Sequence, residues 1–494
     1  MESSIPLEYP SYNPLPELIQ GYISVQGARS IFEHSGPLPD SSEAYRAGQG
    51  ERNRVGRALQ DSGFTINAES SLGFAVVGEP AAFEDLTGGT VEAKERLVRA
   101  EGGRQRYVTH LDIIGDGQPE TLSVAYAKSD AAKIDGVLLE RPRMLMDVFP
   151  SPIPPNTGQF HLRVPSDVSL GLGASGAHRQ GFSGEGVLVA MPDTGQYRHP
   201  YFTAHHYSVR KPLTVVPGTS PSKDPVGHGT GESANVFAAA PGAILQPIRA
   251  SNNAGQLVGA IAGFLKAKEV NPKIITNSWG GDGDYPPTHG PDEFDLAIAL
   301  EIQDAIERGI LVVFSGGNGQ FSVEPQVPGV LAAGGVYMSA TLGLRASNYA
   351  SGYQSPWFGG VTEPSVCGLV GLLPRAQYLM LPIPPGCEID VDESQRTFND
   401  SSTDGTAPND GWALFSGTSA AAPQLAGVAA LILSAKPGLR PEQVIEALNS
   451  TAFDITTGSC HPRFNNFAEI GNDAATGHGL VSAAAAVKYA IDNF

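Results

Sequence analysis

From residue 186 onward, short apolar runs alternate with longer helical stretches, and this alternation restricts the fold more than any other feature of the chain. The runs at 187–191, 244–248, 274–276 and 311–314 have strand length, whereas 256–268, 292–308, 420–435 and 441–448 have helix length. Strands that are apolar on both sides must be covered on both faces. The pattern predicts an α/β fold, a doubly wound and mostly parallel sheet between helices. In such sheets functional groups gather at the carboxyl ends of the strands.

The preceding residues are organised differently. Strand-like segments at 22–25, 64–68, 73–77 and 107–113 are interleaved with helical ones at 52–60 and 81–86. The order βαββαβ is that of a smaller α+β, ferredoxin-like unit. A further strand-like stretch lies at 137–139, and residues 149–165 hold five prolines without periodicity, which reads as a linker. We expect a ferredoxin-like domain at 1–148, a linker at 149–165 and the larger α/β domain at 166–494. A chain of 494 residues is longer than one core usually serves.

The net charge of −19, with no block of Lys and Arg, argues against nucleic acid or an anionic membrane as partner. The apolar stretch 420–435 falls short of the ~20 residues needed to cross a bilayer. It also contains Pro423 and Gln424, so a buried helix is expected. The start, Met1-Glu2-Ser3-Ser4, has neither a basic nor an apolar leader segment, which makes cytoplasmic residence the default and leaves export by a non-Sec route open. Cys367, Cys387 and Cys460 are too few for a disulfide framework and lack metal-site spacing. Buried thiols are expected, with a Cys367–Cys387 bridge as the alternative in an exported protein.

Four residues at strand ends or helix starts carry possible chemistry. Asp193 follows the apolar run 187–191 and precedes Thr194-Gly195. A carboxylate there can accept Nδ1–H of a histidine and support the imidazolium. His228 leads into an apolar helical stretch, and histidine suits a general base because it titrates near about pH 6.5. Ser419, in Gly417-Thr418-Ser419-Ala420, stands at the start of the stretch 420–435, where a free backbone N–H can help bind an oxyanion. Asn318, in Gly316-Gly317-Asn318-Gly319, can donate the second such bond through its amide. Singly, these read as a turn aspartate, a structural histidine, an N-cap serine and a turn asparagine. Together they fall in one order on one sheet.

That order and its motifs resemble the subtilisin-like serine peptidases over residues 186–487. Asp193-Thr194-Gly195, His228-Gly229-Thr230 and Gly417-Thr418-Ser419 through Pro423 look like the family's three catalytic motifs, and Gly477-His478-Gly479-Leu480-Val481 looks like its closing motif. The resemblance implies an Asp193, His228, Ser419 triad with Asn318 in the oxyanion hole. It also implies a peptide substrate bound as an added strand between Ser278-Trp279-Gly280 and Gly316-Gly317. No cofactor is required by it, and structural Ca²⁺ is possible without assignable ligands. It gives the N-terminal unit the part of a propeptide, an intramolecular chaperone and inhibitor; cleavage would then fall near 149–165, and retention of the domain is equally consistent with the sequence. Three departures stand out: Gly231 where the family often has a second His, Ala420 where it often has Met, and a long loop at 353–412. The chain order excludes an α/β-hydrolase esterase, whose serine comes first. Asp61-Ser62-Gly63 lies in another domain from Asp193, against an aspartic peptidase. A transpeptidase or macrocyclase, and a non-cleaving peptide-binding protein, remain as alternatives on the same fold.

Overall fold

A computed structural model of the chain describes residues 15–34, 38–99, 105–115, 123–128, 133–145, 160–374, 376–395 and 403–494. The spine of the main sheet is five parallel strands, in spatial order Ile244–Arg249, Leu188–Asp193, Ile274–Asn277, Leu311–Ser315 and Leu331–Met338. Val366–Leu369 joins Leu331–Met338 in parallel, and Leu344–Ala346 joins it antiparallel. Side chains alternate between two cores, as strand geometry requires. Val189, Leu311 and Val313 face one core, with helices His228–Ala239 and Thr418–Ala435. Ala190, Val312 and Phe314 face the other, with helices Ala260–Glu269 and Glu293–Glu307. The expected doubly wound sheet is thus present, and Thr418–Ala435 is 89% buried inside it.

The chain passes from Leu188–Asp193 to Ile244–Arg249 on one side, then returns to Ile274–Asn277 on the other. The direction of strand addition therefore reverses around the strand that ends in Asp193. A crevice forms outside the carboxyl ends at such a reversal, which sets the place of the site.

The N-terminal unit is an antiparallel sheet in the order Thr65–Glu69, Gly73–Gly78, Ile19–Val25, Ile134–Leu139, Val124–Tyr126, with helices Gln49–Asp61 and Pro80–Thr87. Its first four strands have the spatial order of a ferredoxin-like unit, but the fourth is not the segment expected. Residues 107–113 lie in Gln105–Ile114, which pairs over ten residues with Thr90–Arg99 as a separate hairpin. That hairpin leaves apolar side chains in water, Tyr107 and Ile114 both being exposed. Val137, Leu138 and Leu139 are fully buried and pair with Ile19–Val25 instead.

The sheet rests on helices Ala260–Glu269 and Glu293–Glu307, and Tyr22, Ala75 and Leu138 share a continuous core with Phe264 and Leu300. Within the stretch expected as linker, residues 149–159 lie outside the described residues, and Leu162–Arg163 pairs in parallel with Leu379–Met380. The long loop expected at 353–412 holds strands Val366–Leu369 and Leu379–Pro382 and helix Glu388–Gln395; residues 396–402 of it lie outside the described residues. Runs of four residues carry too little periodicity to be read from sequence. The three cysteines are free, buried thiols.

Candidate active site

Asp193 is the last residue of its strand and His228 the first of its helix. The two meet because Gly229 has no side chain: a Cβ there would lie 2.4 Å from the carbonyl oxygen of Gly195. His228 Nδ1 is 2.8 Å from Asp193 Oδ1, and the N–H of Thr194 donates to the same oxygen at 2.6 Å. Both side chains are almost fully buried, so the bond is little screened by water.

A residue that sequence reasoning missed fixes this helix start. The Asp224 carboxylate accepts from the N–H groups of Gly227 (2.9 Å) and Thr230 (2.8 Å) and from the hydroxyls of Thr194 (2.8 Å) and Thr230 (2.7 Å). It satisfies helix-terminal donors and places negative charge at the positive end of the dipole. An acidic residue just ahead of a helix start was the available signal.

Ser419 is the second residue of Thr418–Ala435. Pro423 has no N–H to offer the Ser419 carbonyl four residues back. Ser278 Oγ donates to that carbonyl instead, at 2.8 Å, and Ser419 Oγ donates to the Ser278 carbonyl at 3.3 Å. The proline inside the helix thereby ties the serine to the Asn277-Ser278-Trp279-Gly280 segment. Asn318 is locked from the other side, its Oδ1 accepting from Thr418 N–H at 2.9 Å and from Thr418 Oγ1 at 3.2 Å. These bonds fix the Asn318 amide beside Thr418, the residue that precedes Ser419.

The two expected walls differ in what they offer. Trp279 is fully buried and its Nε1 donates to the Pro192 carbonyl at 3.0 Å, so its ring braces the Asp193 strand while its backbone forms an edge. That edge is occupied: Trp279–Gly280 pairs antiparallel with Met144–Leu145 of the N-terminal unit. Gly316 and Gly317 donate their N–H groups inward, to the Ala333 carbonyl (3.0 Å) and to Thr418 Oγ1 (3.1 Å). What that wall can contribute is a surface without side chains. At Gly316 a Cβ would lie 1.8 Å from Glu363 Oε1, whose carboxyl burial holds well above the usual carboxylate range.

Glu232 was also missed. One turn after His228 on the same helix face, its Oε1 is 3.9 Å from His228 Nε2, and both side chains are fully buried. Its Oε2 accepts from Asn235 Nδ2 at 2.9 Å, and Asn235 Oδ1 accepts from Gln424 Nε2 at 3.2 Å. The histidine helix and the serine helix are joined through this chain of bonds. Gly231, at the departure noted above, has no room for a side chain, since a Cβ would lie 2.4 Å from the Phe415 ring. Among the described residues no group of three or more His, Cys, Asp or Glu side chains is placed to hold a metal ion, so no calcium ligands are assigned.

Residues 184–479, more than half of the sequence, match the subtilase family. The chain belongs to that family. This subtilase is 26% identical to fervidolysin of Fervidobacterium pennivorans over 405 residues, which cover 74% of this chain and 52% of that protein. It is 28% identical to subtilisin NAT of Bacillus subtilis subsp. natto over 343 residues, covering 67% of this chain and 73% of that one. The chain thus spans about half the length of fervidolysin. The crystal structure of fervidolysin, described as a keratinolytic enzyme related to subtilisin, aligns over 96% of this subtilase and 62% of its own chain. The TM-score is 0.52 at 19% identity, a shared fold.

Proposed function

We propose that this subtilase is a serine endopeptidase. Ser419 attacks a peptide carbonyl as His228, oriented by Asp193, takes the hydroxyl proton. The Asn318 amide and the Ser419 N–H bind the oxyanion; the C–N bond breaks as His228 gives its proton to the leaving amine, and water, deprotonated by His228, then cleaves the acyl-enzyme while His228 returns that proton to Ser419 Oγ. The observation that carries this reading is the buried 2.8 Å Asp193–His228 bond at the sheet reversal, with Ser419 at the start of the helix that Gln424 and Asn235 join to the His228 helix. Asn318→Ala is expected to lower kcat by about 10²–10³-fold with little change in KM, because the lost bond strengthens only as the oxyanion forms. Steady-state kinetics on a fluorogenic peptide check this; an equal loss in an Asn318→Asp variant is also expected, since a carboxylate cannot donate.

In the same reading the N-terminal unit is an intramolecular inhibitor. Its support is the pairing of Met144–Leu145 with Trp279–Gly280, the edge that a substrate strand would use. The Glu140 carboxylate accepts from the Ile261 N–H at 3.3 Å, at the first turn of helix Ala260–Glu269. Removal from water pushes its pKa up to about 7, although Arg143 and the helix N–H groups pull it down.

The docked carboxyl therefore holds a proton that the released one has lost between about pH 4.5 and 7. Docking is strongest below this window and weakens as pH rises through 7. Inhibition of the processed enzyme by its N-terminal domain should be tighter at pH 5.5 than at pH 8, and Glu140→Gln should flatten that dependence. Inhibition constants measured across the range check it; an unchanged slope in the variant would sink the assignment to Glu140.

A further inference from the structure

The strand that lies along the groove carries an arginine whose surroundings have the character of a specificity pocket. Arg143 forms an antiparallel bridge with Leu257, and the next two residues pair with Trp279–Gly280 on the other side. The backbone is thus held between two edges of the larger domain. The Arg143 side chain is 4% exposed and reaches Glu324, itself fully buried, with Nη1 3.2 Å from Oε1. Its guanidinium lies 4.4 Å from the centroid of the Phe294 ring. Gly281 leaves room for it, since a Cβ there would be 3.0 Å from Arg143 Nη1.

Neither oxygen of Glu324 has a hydrogen-bond donor among the described residues. A buried carboxylate without donors is costly unless a cation faces it. Here the cation comes from the N-terminal unit, so its departure leaves the carboxylate without its partner. We propose that Glu324 and Phe294 form an acidic, aromatic-walled subsite that selects substrates with arginine at the fourth residue before the cleaved bond, the position that Arg143 fills in the intact chain. The count follows from register, with Trp279 opposite Leu145 and Ser278, bonded to Ser419, one step further on. A planar guanidinium can stack on the ring and face the carboxylate together, so arginine is preferred to lysine.

This inference rests on the peptidase reading. The experiment uses the wild-type full chain after self-processing and four acetylated tetrapeptides, Xaa-Met-Leu-Met coupled to a fluorogenic amine, with Xaa as Arg, Lys, Met or Glu. The expected result is kcat/KM for Arg above Met by on the order of 10²-fold, with Lys between them and Glu lowest. Glu324→Gln should bring the Arg and Met rates within about threefold of each other. Cleavage of all four at similar rates by the wild type, or an undiminished preference in a folded Glu324→Gln protein, overturns the subsite alone. Cleavage of none overturns the peptidase reading and the subsite with it. Should Glu324→Gln fail to fold, the wild-type series still decides.

Discussion

Ser419→Ala is expected to remain a single 494-residue chain and to lose hydrolysis of a peptide substrate by on the order of 10⁶-fold in kcat. The loss is that large because nucleophile and base act as a unit, so without the hydroxyl the proton acceptor has nothing to activate. The wild type, in contrast, should cut itself. Leu145 faces Trp279, and Ser278, the residue before Trp279, has the carbonyl that accepts from Ser419 Oγ at 3.3 Å, so one further step of this register sets the expected cut. The scissile bond is therefore expected after Met146, with Asp147 as the new N-terminus, a few residues earlier than the proline-rich stretch 149–165 alone suggests. Intact-mass and N-terminal analysis of both proteins check this. Equal cleavage by wild type and Ser419→Ala would remove Ser419 from the mechanism, whereas a wild-type terminus far from 147 would remove only the register argument.

What the sequence made legible divides along physical lines. Asp193, His228, Asn318 and Ser419 could be placed because each adjoins a long apolar run whose strand or helix character is hard to mistake, and the ends of such runs are where a parallel sheet presents its groups. Asp224 and Glu232 escaped because what they do depends on which chain segments meet. Nothing near Glu232 in sequence announces that Asn235 will contact Gln424, 189 positions away. The fourth strand of the N-terminal unit was misassigned for a related reason. Residues 107–113 and 134–139 have comparable strand propensity, and only burial decides which one sits beside Ile19–Val25. Arg143 could not be singled out because arginines near a proline-rich stretch, here Arg141 and Arg143, read as solvated charges. Its meaning lies in a pairing with Leu257 that crosses between domains.

Lys268→Met in the Ser419→Ala background is expected to destabilise the chain by about 3–5 kcal/mol. Lys268 is 2% exposed and lies between Glu301 and Asp304, each 1% exposed, with Nζ 2.7 Å from Asp304 Oδ2. The N-terminal sheet completes this cluster: Tyr22 and Ser70 each donate a hydroxyl to Glu301 Oε1 at 2.6 Å, and Arg46 reaches Asp304 at 3.1 Å. Burial works against the Asp304 charge, but Lys268, Arg308 and Arg46 together hold its carboxyl below the usual range. Removing the lysine leaves Glu301 as a buried carboxylate served only by neutral hydroxyls, whereas a surface pair would cost ~1 kcal/mol at most. Urea unfolding of the two full-length proteins reads the difference, and a loss below about 1 kcal/mol would place the cluster among ordinary surface pairs. Adding Glu301→Leu to Lys268→Met should recover part of the loss, because the stranded charge is then gone. The same substitution should cost less in the processed enzyme, where departure of the sheet opens Glu301 to water. The lysine is thus worth most while the inhibitor is in place, and the cluster couples the stability of the larger domain to the presence of the smaller one.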